Sequence, residues 1–324
     1  MREITFADAL NEALREEMRR DPLVFCLGED VAAFDGAFGV TRGLFAEFGP
    51  GRVMDTPISE NSFVGAAIGA AIAGTRPVAE LQFLDFVTLA MDQIVNLGAK
   101  IRYMSGGQVK VPAVIRAPYG TQFPNGATHV QSLEAWFQHV PGVKVAMPSG
   151  PRDAKGLLKS AVRDDNLVLF LENKGLYSVK GEVPEGEYTV PLGEAAVRRR
   201  GRDLTVVALG AMVPQALTAA ERIAEEGIEA EVIDLRTVTP LDRETVLASV
   251  RKTGRAAVVH EAVRIGGVGA EIGMMIQEEA FDYLDAPVKR IAAAPVPFPF
   301  SPALKRRVVP DLNAVVEGLK SLAG

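Results

Sequence analysis

DTPISENSFVGAAIGAAIAGTRPVAELQFLDF, residues 55–86, decides the architecture. After Glu60 the chain runs through small and β-branched apolar residues from Phe63 to Gly74, then enters RPVAELQFLDF (76–86). The first run reads as a buried helix and the second as a buried strand, the unit from which parallel α/β sheets are built. Glu60 stands at the mouth of that apolar helix. It is either a solvated helix start or a charge held for chemistry, and composition does not separate the two. Gly65, Gly69 and Ala73 recur at four-residue spacing, which puts small residues in one stripe where another backbone can approach. The same stripe suits tight packing inside one domain.

The pattern repeats on both sides. LVFCLGED (23–30), VPAVIRAP (111–118), VKVAMPS (143–149) and NLVLFLEN (166–173) read as strands, with a helix expected over Thr88–Met104. A second series follows: DLTVVALG (203–210), IEAEVIDLR (228–236), RAAVVHEA (255–262) and PVKRIAAA (287–294), with a helix over Pro214–Glu226. Between the series, YSVKGEVPEGEYTVPLGEA (177–195) is rich in Gly, Pro and Glu and lacks helical periodicity. The expectation is two doubly wound α/β domains, 1–180 and 195–324, joined by a linker at 181–194.

The chain of 324 residues is long enough for two cores, and 48% hydrophobic with 23% charged residues is ordinary globular composition. Thirty-five Lys and Arg against 41 Asp and Glu, with no basic run beyond Arg198–Arg200, give no sign of a nucleic-acid groove. Cys26 is the single cysteine, which excludes intrachain disulfides and reads as a buried filler. Thr5 and Asp8 look like a capping box opening a helix with Leu10, Leu14 and Met18 inward. The acidic N-terminal stretch does not read as a targeting peptide, and the Phe63–Gly74 run is too short to span a bilayer. A cytoplasmic protein with no membrane partner is expected.

In such sheets ligands bind beyond the carboxyl ends of strands, where Glu29, Asp30 and the loop before Glu60 fall. Of three histidines, His129 lies in YGTQFPNGATHVQSLEAW, a loop longer than a simple connection requires. His139 falls near a helix end and His260 closes a strand. GGVGAEIG (266–273) departs from the dinucleotide fingerprint at Ile272 and reads as a closely packed helix start.

LGEDVAAFDGAFGVTRGL, RVMDTPISENSFVGAAIGAAIAGTRPVAELQFLDF, DQIVNLGAKIRYMSGGQ, HVQSLEAWFQHVPGVKV, DAKGLLKSAVRDDN and EVIDLRTVTPLD occur in this order. Together they resemble the beta subunit of thiamine-diphosphate-dependent 2-oxo acid dehydrogenases over nearly the whole chain. The resemblance implies a pyrimidine-binding domain followed by a transketolase C-terminal domain. It also implies an alpha subunit that supplies the diphosphate and Mg2+ site, because the family's GDG signature with its downstream Asn is absent here.

By the same resemblance Glu60, the glutamate of TPISE, hydrogen-bonds the cofactor's aminopyrimidine and promotes the imino tautomer that removes the thiazolium proton. A carboxylate held out of water suits that sharing of a proton. Glu29, Ile58, Gln82 and Phe86 are then expected to line the cofactor pocket, with Phe86 against the pyrimidine. His129 matches the loop histidine that serves proton transfer and reductive acylation of the lipoyl group, since an imidazole both donates and accepts near neutral pH. Val130 stands where the family usually has Ser. KSAVRDDN resembles a K+ loop whose oxygen donors would come from Ala113, Ala161, Val162, Asp164 and Asn166.

The implied activity is decarboxylation of a 2-oxo acid in an alpha2-beta2 heterotetramer with transfer of the acyl group to a lipoyl-bearing acyltransferase core. Pyruvate is favoured, with acetoin and branched-chain 2-oxo acids as alternatives. A split transketolase and a non-catalytic scaffold subunit also fit the domains. The scarcity of histidines argues against the first, and Glu60 with His129 against the second.

Overall fold

The computed structural model describes residues 1–122 and 125–323. Among the described residues fourteen strands run in chain order. In the first half they are β1 (Arg2–Thr5), β2 (Val24–Gly28), β3 (Val53–Asp55), β4 (Arg76–Glu80), β5 (Val114–Tyr119), β6 (Lys144–Ala146), β7 (Val168–Asn173) and β8 (Lys180–Val183). The second half adds β9 (Ala196–Arg199), β10 (Leu204–Ala208), β11 (Ala230–Asp234), β12 (Thr237–Thr239), β13 (Ala256–Val263) and β14 (Lys289–Ala293).

The larger sheet has the order β12-β6-β7-β5-β4-β2-β3 and is parallel except for β12. The second sheet, β14-β13-β10-β11-β9, is parallel except for β9. Strand β12, from the second half of the chain, closes the edge of the first sheet, so the two halves share structure as well as contact. The fold is α/β, with two doubly wound sheets. The helix Phe6–Arg20 opens at Thr5, whose hydroxyl accepts from Asp8 N at 3.1 Å, and buries Leu10, Leu14 and Met18. Cys26 is buried and free, and burial pushes its thiol up to about 12, which leaves it inert filler.

Three sequence expectations need correction. The strand expected over 76–86 ends at Glu80, and Leu84–Ala90 is a 3₁₀ turn. The helix expected over Thr88–Met104 is broken into that turn, a π-helical segment Gln93–Gly98 and a short α-helix Ile101–Met104. Close packing accompanies the break: a Cβ on Gly98 would lie 2.7 Å from Leu167 and 3.1 Å from Ile68. Residues 181–183, assigned to the linker, belong to β8, which pairs antiparallel with β1.

A buried charge cluster ties together the strands that carry the site. Arg116 on β5 meets Glu80 on β4 and, through Nε at 2.6 Å and Nη2 at 2.7 Å, Glu172 on β7. The Tyr177 hydroxyl donates to Glu172 at 2.7 Å. Buried ions are tolerated only when so fully bonded, and removing one partner typically costs about 3–5 kcal/mol.

Candidate active site

Gly28 sets the geometry at the carboxyl end of β2. Its φ of +154° favours glycine, and a Cβ there would meet Glu80 O at 2.6 Å. The next two residues project the acids expected at a site. Glu29 is buried, and burial followed by the charge of Glu60 holds its carboxyl above the ordinary carboxylate range. The Ser59 backbone N–H donates to it, yet Oε1 has no partner. Glu60 is the first residue of the helix Glu60–Ile72 and is only 5% exposed. Glu60 is therefore kept from water at the start of its helix. Two carboxylates held together in a dry place are costly unless something else bonds them.

The remaining expected residues gather at neighbouring strand ends. Gln82, just past β4, donates to Asp30 Oδ2 at 3.2 Å and so ties the two acidic turns together. Phe86 lies 5.3 Å from the His129 ring and 5.7 Å from Phe83, edge-on to both, while Phe83 is itself 4.9 Å from His129. Nδ1 of His129 shares a hydrogen bond of 3.0 Å with Thr128 Oγ1. The loop that carries His129 follows β5, and its Phe123 and Pro124 lie outside the described residues. Val130 is buried with Ala293 and Phe298 of the second half, so an apolar anchor stands where a serine hydroxyl was expected. Ile58 is 84% exposed, away from the buried acids beside it.

The expected ion loop is elsewhere, at the opposite ends of β4, β5 and β7. Arg76 Nη1 donates to Val162 O at 3.0 Å and to Asp164 O at 3.1 Å. Ala161 O accepts from Asp164 N, Ala113 O from Val168 N, and Asn166 Oδ1 from Arg102 Nη1 at 2.6 Å. A monovalent ion would use the second lone pairs of these oxygens, alongside a fixed guanidinium. Among the described residues no group of three or more His, Cys, Asp and Glu could hold a metal ion.

His260 and the glycines of GGVGAEIG pack together: a Cβ on Gly267 or Gly269 would reach the His260 ring at 2.7 or 2.6 Å, and Gly267 caps the helix Val268–Ala280. Burial pushes His260 down to about 4, so it is a neutral core residue. Sequence reasoning passed over four groups that the structure sets around His129. They are Phe83 against the imidazole, Lys174 on the backbone carbonyl, Asp85 on Gln131 two residues along and, from the second half, Glu261, whose field acts on Lys174 and not on the histidine itself. Phe83 and Asp85 sit inside ELQFLDF and Lys174 directly follows β7, so position at a strand's carboxyl end was the signal available.

The donor set fits an aminopyrimidine. Buried carboxyls with an unpartnered oxygen can engage ring nitrogen and amine groups. The match to known proteins agrees. The transketolase pyrimidine-binding domain model matches residues 2–180 and the transketolase C-terminal domain model residues 193–315. The chain is 48% identical over 323 residues to a rice protein named pyruvate dehydrogenase E1 component subunit beta-2, mitochondrial, covering 98% of this chain and 86% of that one. It is 45% identical over 335 residues to the Bacillus subtilis acetoin:2,6-dichlorophenolindophenol oxidoreductase subunit beta, covering 100% and 98%. A solved structure described as a split gene transketolase, inactive beta4 tetramer, superimposes with a TM-score of 0.80 at 26% identity, over 99% of this chain and 98% of that one. Over its whole length the chain belongs to the beta subunits of the thiamine-diphosphate-dependent 2-oxo acid dehydrogenases.

Proposed function

We propose that this beta subunit holds the pyrimidine half of thiamine diphosphate and acts with an alpha subunit in the decarboxylation of pyruvate and transfer of the acyl group to a lipoyl domain. The observation that carries the reading is the buried pair of Glu29 and Glu60, with Glu29 Oε1 left without a partner. Glu60 shares a proton with the pyrimidine, Glu29 and Gln82 shape the acidic wall around it, Ile58 reaches the cofactor from the loop before Glu60, and Phe86 gives the ring an apolar face. When bound, the cofactor supplies the electron sink that decarboxylation needs. His129 exchanges the proton that accompanies acyl transfer. Mg2+ and the diphosphate belong to the alpha subunit, whose GDG signature this chain lacks. The 2-oxo acid enters between the subunits, and the assembly docks on a lipoyl-bearing acyltransferase core. No helix among the described residues is long and apolar enough to cross a membrane, and we place the assembly in the cytoplasm.

Exposed apolar side chains on the segments framing the site support a covering partner: Phe34, Ile58 and Leu89 all face solvent in the single chain. Co-purification with a GDG-containing chain, followed by assay on pyruvate, acetoin and branched-chain 2-oxo acids, tests the reading. Failure to assemble, or absence of all decarboxylation once assembled, overturns it. The Bacillus subtilis relative supports acetoin as the second reading, and the ranking of substrates separates the two.

The heterotetramer brings its own expectation. Gly69 is exposed and a Cβ there meets nothing within 4 Å, whereas Gly65 packs against Gln93. Gly69→Leu therefore leaves the isolated chain folded and costs about 1–3 kcal/mol where a second chain seats on the stripe. Sedimentation of the assembled enzyme reads the difference; an unchanged tetramer removes the stripe from the interface.

Potassium at the loop of Ala113, Ala161, Val162, Asp164 and Asn166 is proposed as a structural ion. At ten times its Kd it stabilises by about 1.4 kcal/mol. Melting in KCl against LiCl of equal ionic strength measures this, and equal melting temperatures exclude the ion.

A further inference from the structure

Lys174 is a buried lysine that makes no ion pair among the described residues. It follows the last residue of β7, and its Nζ donates to the backbone carbonyl of His129. The same ammonium lies 4.9 Å from the centroid of the Phe83 ring, and that ring meets the His129 imidazole edge-on at 4.9 Å. One side chain thus grips the histidine twice, through its backbone and through the aromatic ring against which the imidazole rests. Elsewhere the His129 loop is held by Asp85 Oδ1, which accepts from Gln131 N at 3.3 Å and Nε2 at 2.8 Å, and by the Val130 cluster.

From this geometry we infer that Lys174 is a positioning residue for His129 and that its positive charge sustains acyl transfer to the lipoyl group. The inference rests on His129 serving that transfer.

The physical case has two parts. A charge-assisted hydrogen bond is roughly twice as strong as a neutral one, and a cation over an aromatic face adds attraction that grows when water is excluded. Both vanish or weaken when the ammonium loses its proton. Burial pushes Lys174 down to about 8, against the opposing fields of Asp85 and Glu261 and with Lys305 reinforcing the fall. These groups reach it from the 3₁₀ turn Leu84–Ala90, from β13 and from the short helix Pro302–Lys305. Asp85 keeps one oxygen, Oδ2, without a hydrogen-bond partner among the described residues, whereas both oxygens of Glu261 are engaged. Asp85 Oδ1 holds Gln131, while Glu261 accepts from Thr121 N at 2.8 Å and from Asn173 Nδ2 at 2.7 Å. A lysine depressed in this way is charged below about pH 8 and neutral above it, so the grip on His129 weakens as pH rises through that value.

The experiment uses the assembled alpha-beta enzyme and reads the ratio of acyl transfer to a lipoyl domain over turnover with an artificial electron acceptor, from pH 6.5 to 9.5. In the wild type the ratio falls above pH 8. Lys174→Gln keeps a neutral donor and Lys174→Met keeps none. Both should give a ratio about 10- to 100-fold below wild type at pH 7, the scale of a small misplacement of a reacting group, and both should lose the alkaline fall. A structural role alone would lower both activities together and leave their ratio unchanged. His129→Asn is the reference. If it lowers the ratio while Lys174→Gln and Lys174→Met leave both the ratio and its pH profile at wild type, the inference about Lys174 is overturned. If His129→Asn itself leaves the ratio intact, what fails is the assignment of His129. Should both lysine variants fail to fold, a wild-type ratio that stays flat across pH 8 still refutes the proposal, and a falling one sustains it.

Discussion

Glu60→Gln is expected to leave cofactor binding intact and to lower turnover by about 10²–10⁴, the usual worth of a positioned proton-transfer group. The amide preserves the shape of the side chain at the first turn of Glu60–Ile72 and can still form a hydrogen bond. What it cannot do is take up and return a proton. Burial sharpens the effect, because no water stands ready to substitute when the residue is 5% exposed. The neighbouring acid provides a control. Glu29 is held above the ordinary range partly by the charge of Glu60, so the Gln variant should bring Glu29 down towards ordinary carboxylate behaviour. Exchange of the thiazolium proton in the assembled enzyme isolates the activating step from everything later. Wild-type exchange in the Gln variant would reduce Glu60 to a helix-start charge and remove the mechanistic reading with it.

That a carboxylate so placed could be noticed at all reflects how α/β chains are written. Buried parallel strands read as apolar runs, and an acid beside one is conspicuous. For the same reason the inner strands of both sheets were legible, and β4, β5 and β7 fall within the stretches that apolarity marks, whereas the edge strands β3, β9 and β12 lie outside them. The stretch Thr88–Met104 was misread because its residues favour helix and local preference carries no record of Gly98 pressed against Leu167 and Ile68. Ile58 illustrates a different limit. Its resemblance to a pocket residue is a statement about an assembled enzyme, and in one chain it is almost wholly in water. Lys174 illustrates a third. A lysine after a strand looks like a solvated strand end, and only the return of the His129 loop and the approach of Lys305 and Glu261 from the second half bury it.

His129→Asn separates two demands that the same histidine meets. Thr128 engages Nδ1, so Nε2 is the ring nitrogen without a protein partner among the described residues. Asparagine places a polar atom near the position of Nδ1 and nothing at that of Nε2. Cofactor binding, which the residue does not touch in the proposed arrangement, should survive, and turnover with an artificial acceptor should fall only a few-fold on the scale of a lost hydrogen bond. Transfer to the lipoyl group needs a proton delivered as the acyl group moves, and should fall by about 10²–10³. Asp85 still holds Gln131 and Val130 stays buried with Ala293 and Phe298 in the variant, so the loss follows from the missing nitrogen and not from a collapsed loop. Equal losses in the two assays would instead make His129 a general support for the aromatic cluster, and the proton would have to come from another group at the mouth of the site.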